Sequence, residues 1–436
     1  MSLSSQALIL VGFLAILLCG GVWISVALAI IGWLGLTMFS PSPAGAIFAT
    51  TSWGASASWT LAALPLFVWM GEILFRTNLS DQLFRGIAPW VSRLPGGLLH
   101  VNILGSGMFA AIAGSSAATN ATVAKMALPE LRRQGYPDSL ILGSLAAGGT
   151  LGILIPPSVL MVVYATMTDT SIIRMFLAGF VPGIMLMAMF SGYLVIQGLR
   201  GACSGPAAVA RSSFREKLRS SMQLLPCLSL IVLVLGSMAS GIVTATEGAA
   251  VGVAGALILA AATGALTWRT FVESLTGAAR LSCMILFIIV GAATLSQAMS
   301  YTGLPDALAR AVTEMGLSPY LMLAALVVMY LVLGMFLDGA SMIVLTASVV
   351  VPLVTSAGFD LIWFGIFITI LVEIGAITPP VGFNLFVLEA MSKKSLMQVA
   401  AASFPFVVLM LLGILLLIIF PELALWLPNA VMGPSL

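Results

Sequence analysis

Charge is scarce in this chain. Asp, Glu, Lys and Arg together make up 7% of its 436 residues, where soluble domains carry about 25%. That composition excludes a soluble enzyme held by a single anchor. Histidine is rarer still, with His100 alone, so a zinc or haem centre built on histidines is not expected. The four cysteines, Cys19, Cys203, Cys227 and Cys283, form no CxxC pair and read as unpaired membrane cysteines. No GxxxxGK[ST] loop is present, so nothing supports ATP hydrolysis. No dense basic run points to nucleic acid, and the net charge of +2 adds nothing there. Neither an HExxH motif nor a pair of aspartates on facing helices stands out, so no enzyme activity is expected. The start lacks a basic n-region and a small-residue cleavage site, so the first segment is expected to be retained.

What is there is apolar. The chain is 61% hydrophobic with a mean hydropathy of +1.16, and at ~20 residues per span it has room for roughly ten spans. Apolar runs fall at about 8–39, 61–74, 97–128, 140–167, 172–196, 222–238, 243–266, 281–299, 320–353, 361–391 and 399–420. The first is too long for one straight span and contains Gly20-Gly21, so it is either a bent helix or two segments.

Two stretches echo each other at an offset of 223 residues: Gly152-Ile153-Leu154-Ile155-Pro156-Pro157 and Gly375-Ala376-Ile377-Thr378-Pro379-Pro380. The same offset aligns Ala117 with Ala340, Ala124 with Ala347, Pro129 with Pro352, Gly135 with Gly358 and Tyr136 with Phe359. Adjacent prolines remove backbone donors and break a helix. Upstream of each break lies a long run, 97–131 and 320–354, with small polar residues at its middle and Pro then Gly-aromatic at its end. Each reads as a re-entrant hairpin, and the alternative is one long kinked helix. A short amphipathic stretch near 79–81 has a partner near 304–306. The hairpins add no crossings, so an odd number of crossings separates the copies and predicts an inverted repeat.

Positive charge agrees with that arrangement. It places Arg76, Arg85, Arg93, Arg132, Arg133, Arg200, Arg211, Arg215, Lys217, Arg219, Arg269, Arg280, Lys393 and Lys394 inside. Only Arg174 and Arg310 fall outside, and so does the C-terminus. The expected fold class is an all-α polytopic membrane protein, an inverted repeat with two re-entrant helical hairpins and two Pro-Pro-broken helices. Its parts divide at 1–96 (scaffold helices and first arm), 97–171 (hairpin and broken helix), 172–319 (scaffold, linker and second arm), 320–395 (second hairpin and broken helix) and 396–436 (last scaffold helix and tail).

Hairpin tips entering from opposite faces meet near the midplane. They offer half-helix ends, free carbonyls and hydroxyls, which suit carboxylates and a cation such as Na⁺. A first ion site combines Ser115, Ser116 and Asn120 with Gly152 and Ile155. A second combines Asp338, Gly339 and Ser341 with Gly375 and Thr378. The plainer alternative is that these hydroxyls and Asp338 only cap half-helices. Glu373, before the second break, reads as part of an ion or gating network, because a carboxylate at membrane depth is costly. Thr119, Thr150, Ser158 and Asn384 are candidate substrate contacts. Lys125 either pairs with an anionic substrate or snorkels to the cytoplasmic face. His100 is expected at a surface or interface. Glu72 and Glu247 are expected to pack against a neighbouring helix or subunit.

The wording of 105–120, of Pro129-Glu130-Leu131 with Gly135-Tyr136, of Gly149-Thr150-Leu151-Gly152-Ile153-Leu154-Ile155-Pro156-Pro157-Ser158 and of Glu373-Ile374-Gly375-Ala376-Ile377-Thr378-Pro379-Pro380-Val381-Gly382 resembles the large membrane subunit of TRAP transporters, the tripartite ATP-independent periplasmic systems. The resemblance extends over nearly the whole length. It implies an ion-transporter-superfamily fold in the bacterial inner membrane, with a scaffold and a mobile part that moves elevator-fashion. It also implies Na⁺ as coupling ion with no other cofactor, a separate small four-helix membrane subunit, and a periplasmic substrate-binding protein that delivers an organic acid. By that resemblance Ser115, Ser116, Asn120, Gly152 and Ile155 match the first sodium region, and Asp338, Gly339, Ser341, Gly375 and Thr378 the second. A C4-dicarboxylate is the default substrate, with sugar acids and keto acids close behind. A stand-alone dicarboxylate or anion symporter of the same fold, or a channel, are the alternatives.

Overall fold

The first apolar run is two helices. α1 (Leu3–Cys19) and α2 (Ile24–Phe39) meet at Gly20-Gly21, where Gly21 takes φ +75°, a conformation that only glycine adopts freely. The computed structural model describes residues 3–41, 43–77, 79–202, 214–303, 307, 310, 318–380 and 382–433. Among them every regular element is helical.

After α2 come α3 (Ala44–Ser56) and α4 (Ala63–Phe75), bent by 48° across a short 3₁₀ turn at Trp59–Ala62. The apolar-run reading missed α3, because Thr, Ser and Gly dilute the hydrophobicity of 44–56. The amphipathic arm is α5 (Leu79–Val91). The first hairpin is α6 (Leu99–Ala113) and α7 (Ser116–Arg133), and the first broken helix is α8 (Asp138–Thr150) and α9 (Val159–Met167). There follow α10 (Ile172–Leu199), α11 (Phe214–Ser221), α12 (Leu225–Ala239), α13 (Ala245–Ala262) and α14 (Trp268–Thr302). The second hairpin is α15 (Pro319–Gly334) and α16 (Gly339–Ser356), and the second broken helix is α17 (Leu361–Ala376) and α18 (Phe383–Ser392). α19 (Leu396–Ile419) and α20 (Glu422–Met432) close the described chain.

The offset of 223 read from the sequence recurs in the element bounds. α7 and α16 coincide under it at both ends, and α8 and α17 start at positions 138 and 361. Gly135 and Gly358 turn the chain with φ +79° and +81°, and both Pro-Pro bonds are cis. The second amphipathic arm near 304–306, Cys203 and Arg211 lie outside the described residues.

Six helices among the described residues are long and apolar enough to cross a bilayer alone, or seven if the bent pair α3–α4 is one span. Composition predicts roughly ten. The difference lies in the membrane-length runs that Gly20-Gly21, the hairpin tips and the Pro-Pro breaks divide into shorter helices. α14 runs 35 residues, well beyond the apolar stretch 281–299. The C-terminal stretch, expected as a tail, forms α20, which packs on α10; Arg174 Nη2 donates to the Gly433 carbonyl at 2.7 Å.

Two kinds of packing result. α2 pairs with α14 and α4 with α13, and each pair keeps one side exposed. At the α2–α14 seam a Cβ on Gly32 would lie 2.7 Å from Leu295 N, and one on Gly291 2.6 Å from Ser25 O. Small residues allow that approach, as is usual between membrane helices. By contrast α17 is buried on every side from Ile362 to Gly375, and α8 from Leu140 to Thr150. Helices apolar all round belong in a core, so hairpins and broken helices form one central body.

One close backbone contact in the core sets a stability prediction. A Cβ on Gly375 would lie 2.7 Å from Gly334 Cα, which is backbone and cannot rotate away. Gly375→Ala should destabilise the folded protein by about 1–3 kcal/mol through overpacking. Gly192→Ala on α10, with nothing within 4 Å, should be neutral to slightly stabilising, by up to about 1 kcal/mol. Melting temperatures of the purified variants check both.

Candidate functional site

The first hairpin tip rests directly on the first break, and three glycines make that possible. Gly114 ends α6 with φ +59°, and a Cβ there would lie 2.9 Å from the Pro157 carbonyl. A Cβ on Gly152 would lie 2.6 Å from Ser116 Cα, and one on Gly149 2.8 Å from Asn120 Cβ. Backbone meets backbone, so the irregular turns at the tip and at the break shield one another from lipid.

Ser116 Oγ is the centre of the polar contacts. It lies 3.0 Å from the Gly149 carbonyl and 3.0 Å from Glu373 Oε2, and it accepts from Asn384 Nδ2 at 2.6 Å. Asn120 Nδ2 donates to the Asn384 carbonyl at 3.2 Å. Asn120 and Asn384 are fully buried, and Glu373 is 1% exposed. Residues proposed separately as an ion ligand, a gating carboxylate and a substrate contact therefore form one lattice, which joins the two halves of the chain.

The other first-site residues have more local roles. Ser115 caps α7, accepting from Ala118 N at 3.5 Å. Ile155 fills the space against Gly107 and Gly183. Among the substrate candidates, Thr119 is buried with no partner for Oγ1. Thr150 Oγ1 bonds the Ala147 carbonyl at 2.6 Å, and Ser158 caps α9, accepting from Met161 N.

The second site is built differently. Asp338 is exposed and caps α16: Oδ2 accepts from Ala340 N and Ser341 N at 3.1 and 3.2 Å, while Ser341 Oγ donates to Oδ1. Gly339 fits against Val372 and Leu160, and Gly375 against Gly334. Thr378 Oγ1 bonds the Ile374 carbonyl at 2.6 Å. The polar groups of this site satisfy each other locally, whereas those of the first site are tied across the halves.

Of the remaining charged residues, Lys125 is exposed on α7, as snorkelling requires. Glu72 pairs with Arg76 and packs on Gly277 of α14, and Glu247 forms a capping box with Thr244. His100 departs from expectation. It is 1% exposed, with Nε2 2.8 Å from the Pro95 carbonyl, because the Gly96-Gly97 turn folds that carbonyl over the ring. Cys19, Cys227 and Cys283 are free thiols. At the base of the first hairpin, Arg132 binds Asp138 at 2.8 Å and the Ser392 carbonyl at 3.0 Å, and Lys394 reaches Asp138 at 3.0 Å. This is a second link between the halves, but partly exposed pairs of this kind are worth only ~0–1 kcal/mol.

Sequence reasoning missed two features. A buried polar layer lies behind the break, where Asn102 Nδ2 donates to Ser144 Oγ at 2.8 Å. Asn102 and Ser106, four apart on α6, were its available signal. The second feature is a cavity of about 330 Å³ beside the α14–α16 contact, lined by Met167, Ser296, Ser300, Ala347, Ser348, Val351 and Pro352. Ser296 and Ser300, four apart on α14, were its local signal, whereas Ser348 comes from α16, distant in sequence.

Residues 11–423 match the family model for the tripartite ATP-independent periplasmic transporter, DctM component. The chain belongs to this family. It is 34% identical over 408 residues to the C4-dicarboxylate TRAP transporter large permease protein DctM of Pseudomonas aeruginosa, covering 92% of this chain and 94% of that protein. It is 31% identical over 374 residues to the ectoine/5-hydroxyectoine TRAP transporter large permease protein UehC of Ruegeria pomeroyi, covering 84% and 86%. Its fold is similar to that of the YdaH transporter of Alcanivorax borkumensis, with a TM-score of 0.67 at 13% identity over 94% of this chain and 98% of that one. A TRAP large permease is a transporter subunit and not an enzyme, which agrees with the absence of catalytic motifs.

Ser116 gives this site its test. Ser116→Ala removes the acceptor of Asn384 Nδ2 and the donor shared by Gly149 and Glu373. Each buried polar group left unpaired costs about 1–3 kcal/mol, so the variant should melt several degrees lower. Ser115→Ala, which loses one weak cap, should cost less. Thermal unfolding of the two variants side by side checks the order.

Proposed function

We propose that this chain is the large permease subunit of a sodium-coupled TRAP importer in a bacterial inner membrane. It would work with a small four-helix membrane subunit and with a periplasmic binding protein that delivers an organic acid. The observation that carries this reading is the lattice around Ser116, which closes one hairpin tip over its break and ties it to the second broken helix.

Several features support the finer points. The element bounds recurring at 223 residues, with hairpins that add no crossings, favour an inverted repeat. One central body of hairpins and broken helices against paired outer helices favours elevator motion, with the serine-lined cavity between α14 and α16 at the boundary. Among the described residues no Lys or Arg is buried. A carboxylate substrate is therefore met by half-helix N-termini, such as those of α9 and α18, and by co-bound cations. Sodium asks for little more than oxygen ligands, and both tips provide them: Ser115, Ser116, Asn120, Gly152 and Ile155 at one, Asp338, Gly339, Ser341, Gly375 and Thr378 at the other. The relatives named for C4-dicarboxylates and for ectoine stand at 34% and 31% identity. Similarity of that degree does not separate substrates, and a C4-dicarboxylate is the first acid to try.

Reconstitution in proteoliposomes with both partners tests the reading. Uptake should need the binding protein and an inward sodium gradient. Uptake that persists without the binding protein, or that is undiminished when choline replaces sodium at constant pH, overturns it. Asp338→Asn separates the two roles of that side chain. Asparagine caps a helix about as well as aspartate, so a pure cap predicts unchanged transport. A sodium ligand predicts a half-saturating sodium concentration raised by about tenfold, the loss of one charged contact.

A further inference from the structure

This inference rests on the cation-coupled reading and deepens it. Glu373 is the only buried Asp, Glu, Lys or Arg among the described residues. None of the ion pairs formed by the described Lys, Arg and His side chains includes it. Its Oε2 meets Ser116 Oγ and the Ile153 backbone N–H interacts with the carboxyl, but no hydrogen bond of normal geometry reaches Oε1. A buried, unpaired carboxylate is strongly unfavourable unless something neutralises it.

The surroundings are short of donors. Ser116 has one hydroxyl hydrogen for two acceptors, the Gly149 carbonyl and Glu373 Oε2, both at 3.0 Å. The amide nitrogens of Asn120 and Asn384 each place one N–H, on the Asn384 carbonyl and on Ser116 Oγ, which sets the orientation of both amides. Their oxygens, Asn120 Oδ1 and Asn384 Oδ1, are buried without partners. Three unpartnered oxygens thus sit on side chains linked through contacts of 2.6–3.2 Å. A proton would neutralise the carboxylate but leave both amide oxygens bare. A cation held among these side chains would satisfy all of them together.

The geometry points to a monovalent-cation site at the seam of the two halves, in which Glu373 supplies the carboxylate and Asn120 and Asn384 supply amide oxygens. Its ligands come from both copies of the repeat. The first hairpin tip therefore cannot hold this ion unless the second broken helix is docked against it, and ion binding fastens the halves together.

The test uses the full chain purified with its small membrane subunit in nanodiscs. Binding of radioactive sodium and the sodium-dependent rise in melting temperature are measured for wild type and Glu373→Gln. The expected result is a sodium affinity lowered by about tenfold or more. In sodium-free buffer the variant should melt at or above wild type, because a buried unpaired charge has gone. Asn384→Ser, which keeps a hydroxyl but withdraws the amide oxygen, should weaken sodium binding by several-fold and decides the matter if the first variant does not fold. Unchanged sodium affinity in these variants overturns the seam site while leaving sodium-driven uptake intact. So does a variant that melts lower but keeps the wild-type sodium shift, since Glu373 would then be structural. Loss of a pH response with sodium affinity unaltered assigns the group to a proton instead and equally overturns it. Uptake and wild-type melting that are both indifferent to sodium would instead remove the coupling reading itself.

Discussion

A helix interrupted inside hydrocarbon leaves backbone donors and acceptors that lipid cannot satisfy, so protein must cover every break. That constraint organises this chain. It has two Pro-Pro breaks and two hairpin tips, and each tip or arm is pressed onto a break at backbone distance. Gly114, Gly149 and Gly152 allow this in the first half, and Gly334 with Gly375 in the second. A Cβ at any of these positions would stand within 3.0 Å of another heavy atom. The glycines are thus explained by the approach of two interrupted backbones rather than by local flexibility.

The same constraint explains where the burial lies. Helices that cover breaks have to be covered in turn, so α8 and α17 are enclosed on all sides while α13, α14 and α19 each show a face to the surroundings. Apolar helices in lipid gain little from hiding apolar side chains, and association rests on close packing and on hydrogen bonds. The α2–α14 seam uses the first, through Gly32, Gly35 and Gly291. The central body adds the second, through Ser116, Asn120, Glu373 and Asn384.

Much of this was legible in the sequence, because proline and glycine act locally. The double prolines, Gly135 with Gly358 and the hairpin runs mark α7 as the counterpart of α16 and α8 as that of α17. What the sequence could not convey was distance. Ser116 and Glu373 lie 257 positions apart, and no spacing rule links them, so the lattice was read as separate candidates. Helix α3 was lost for a different reason. Its Thr, Ser and Gly content hides it from an apolar-run reading, and its place is set by packing on α14. The burial of His100 depends on two glycines with positive φ that fold Pro95 over the ring, a tertiary effect on a residue that composition alone would leave outside.

The two halves share a sequence pattern, yet they do not build equivalent tips. The first tip hands its hydroxyl to the opposite half and sets it beside a buried carboxylate. The second keeps its aspartate at the surface, with both carboxylate oxygens engaged by its own helix start. Cutting the first tip loose leaves Asn384 Nδ2 without its acceptor and Glu373 without its hydroxyl contact, whereas the cap contacts of Asp338 all lie within its own hairpin. Two halves that share a sequence pattern therefore have one hairpin tip held by polar contacts across the seam and one whose polar tip is self-contained. Of the two, the second is the one whose polar groups tolerate displacement without exposing an unpaired charge.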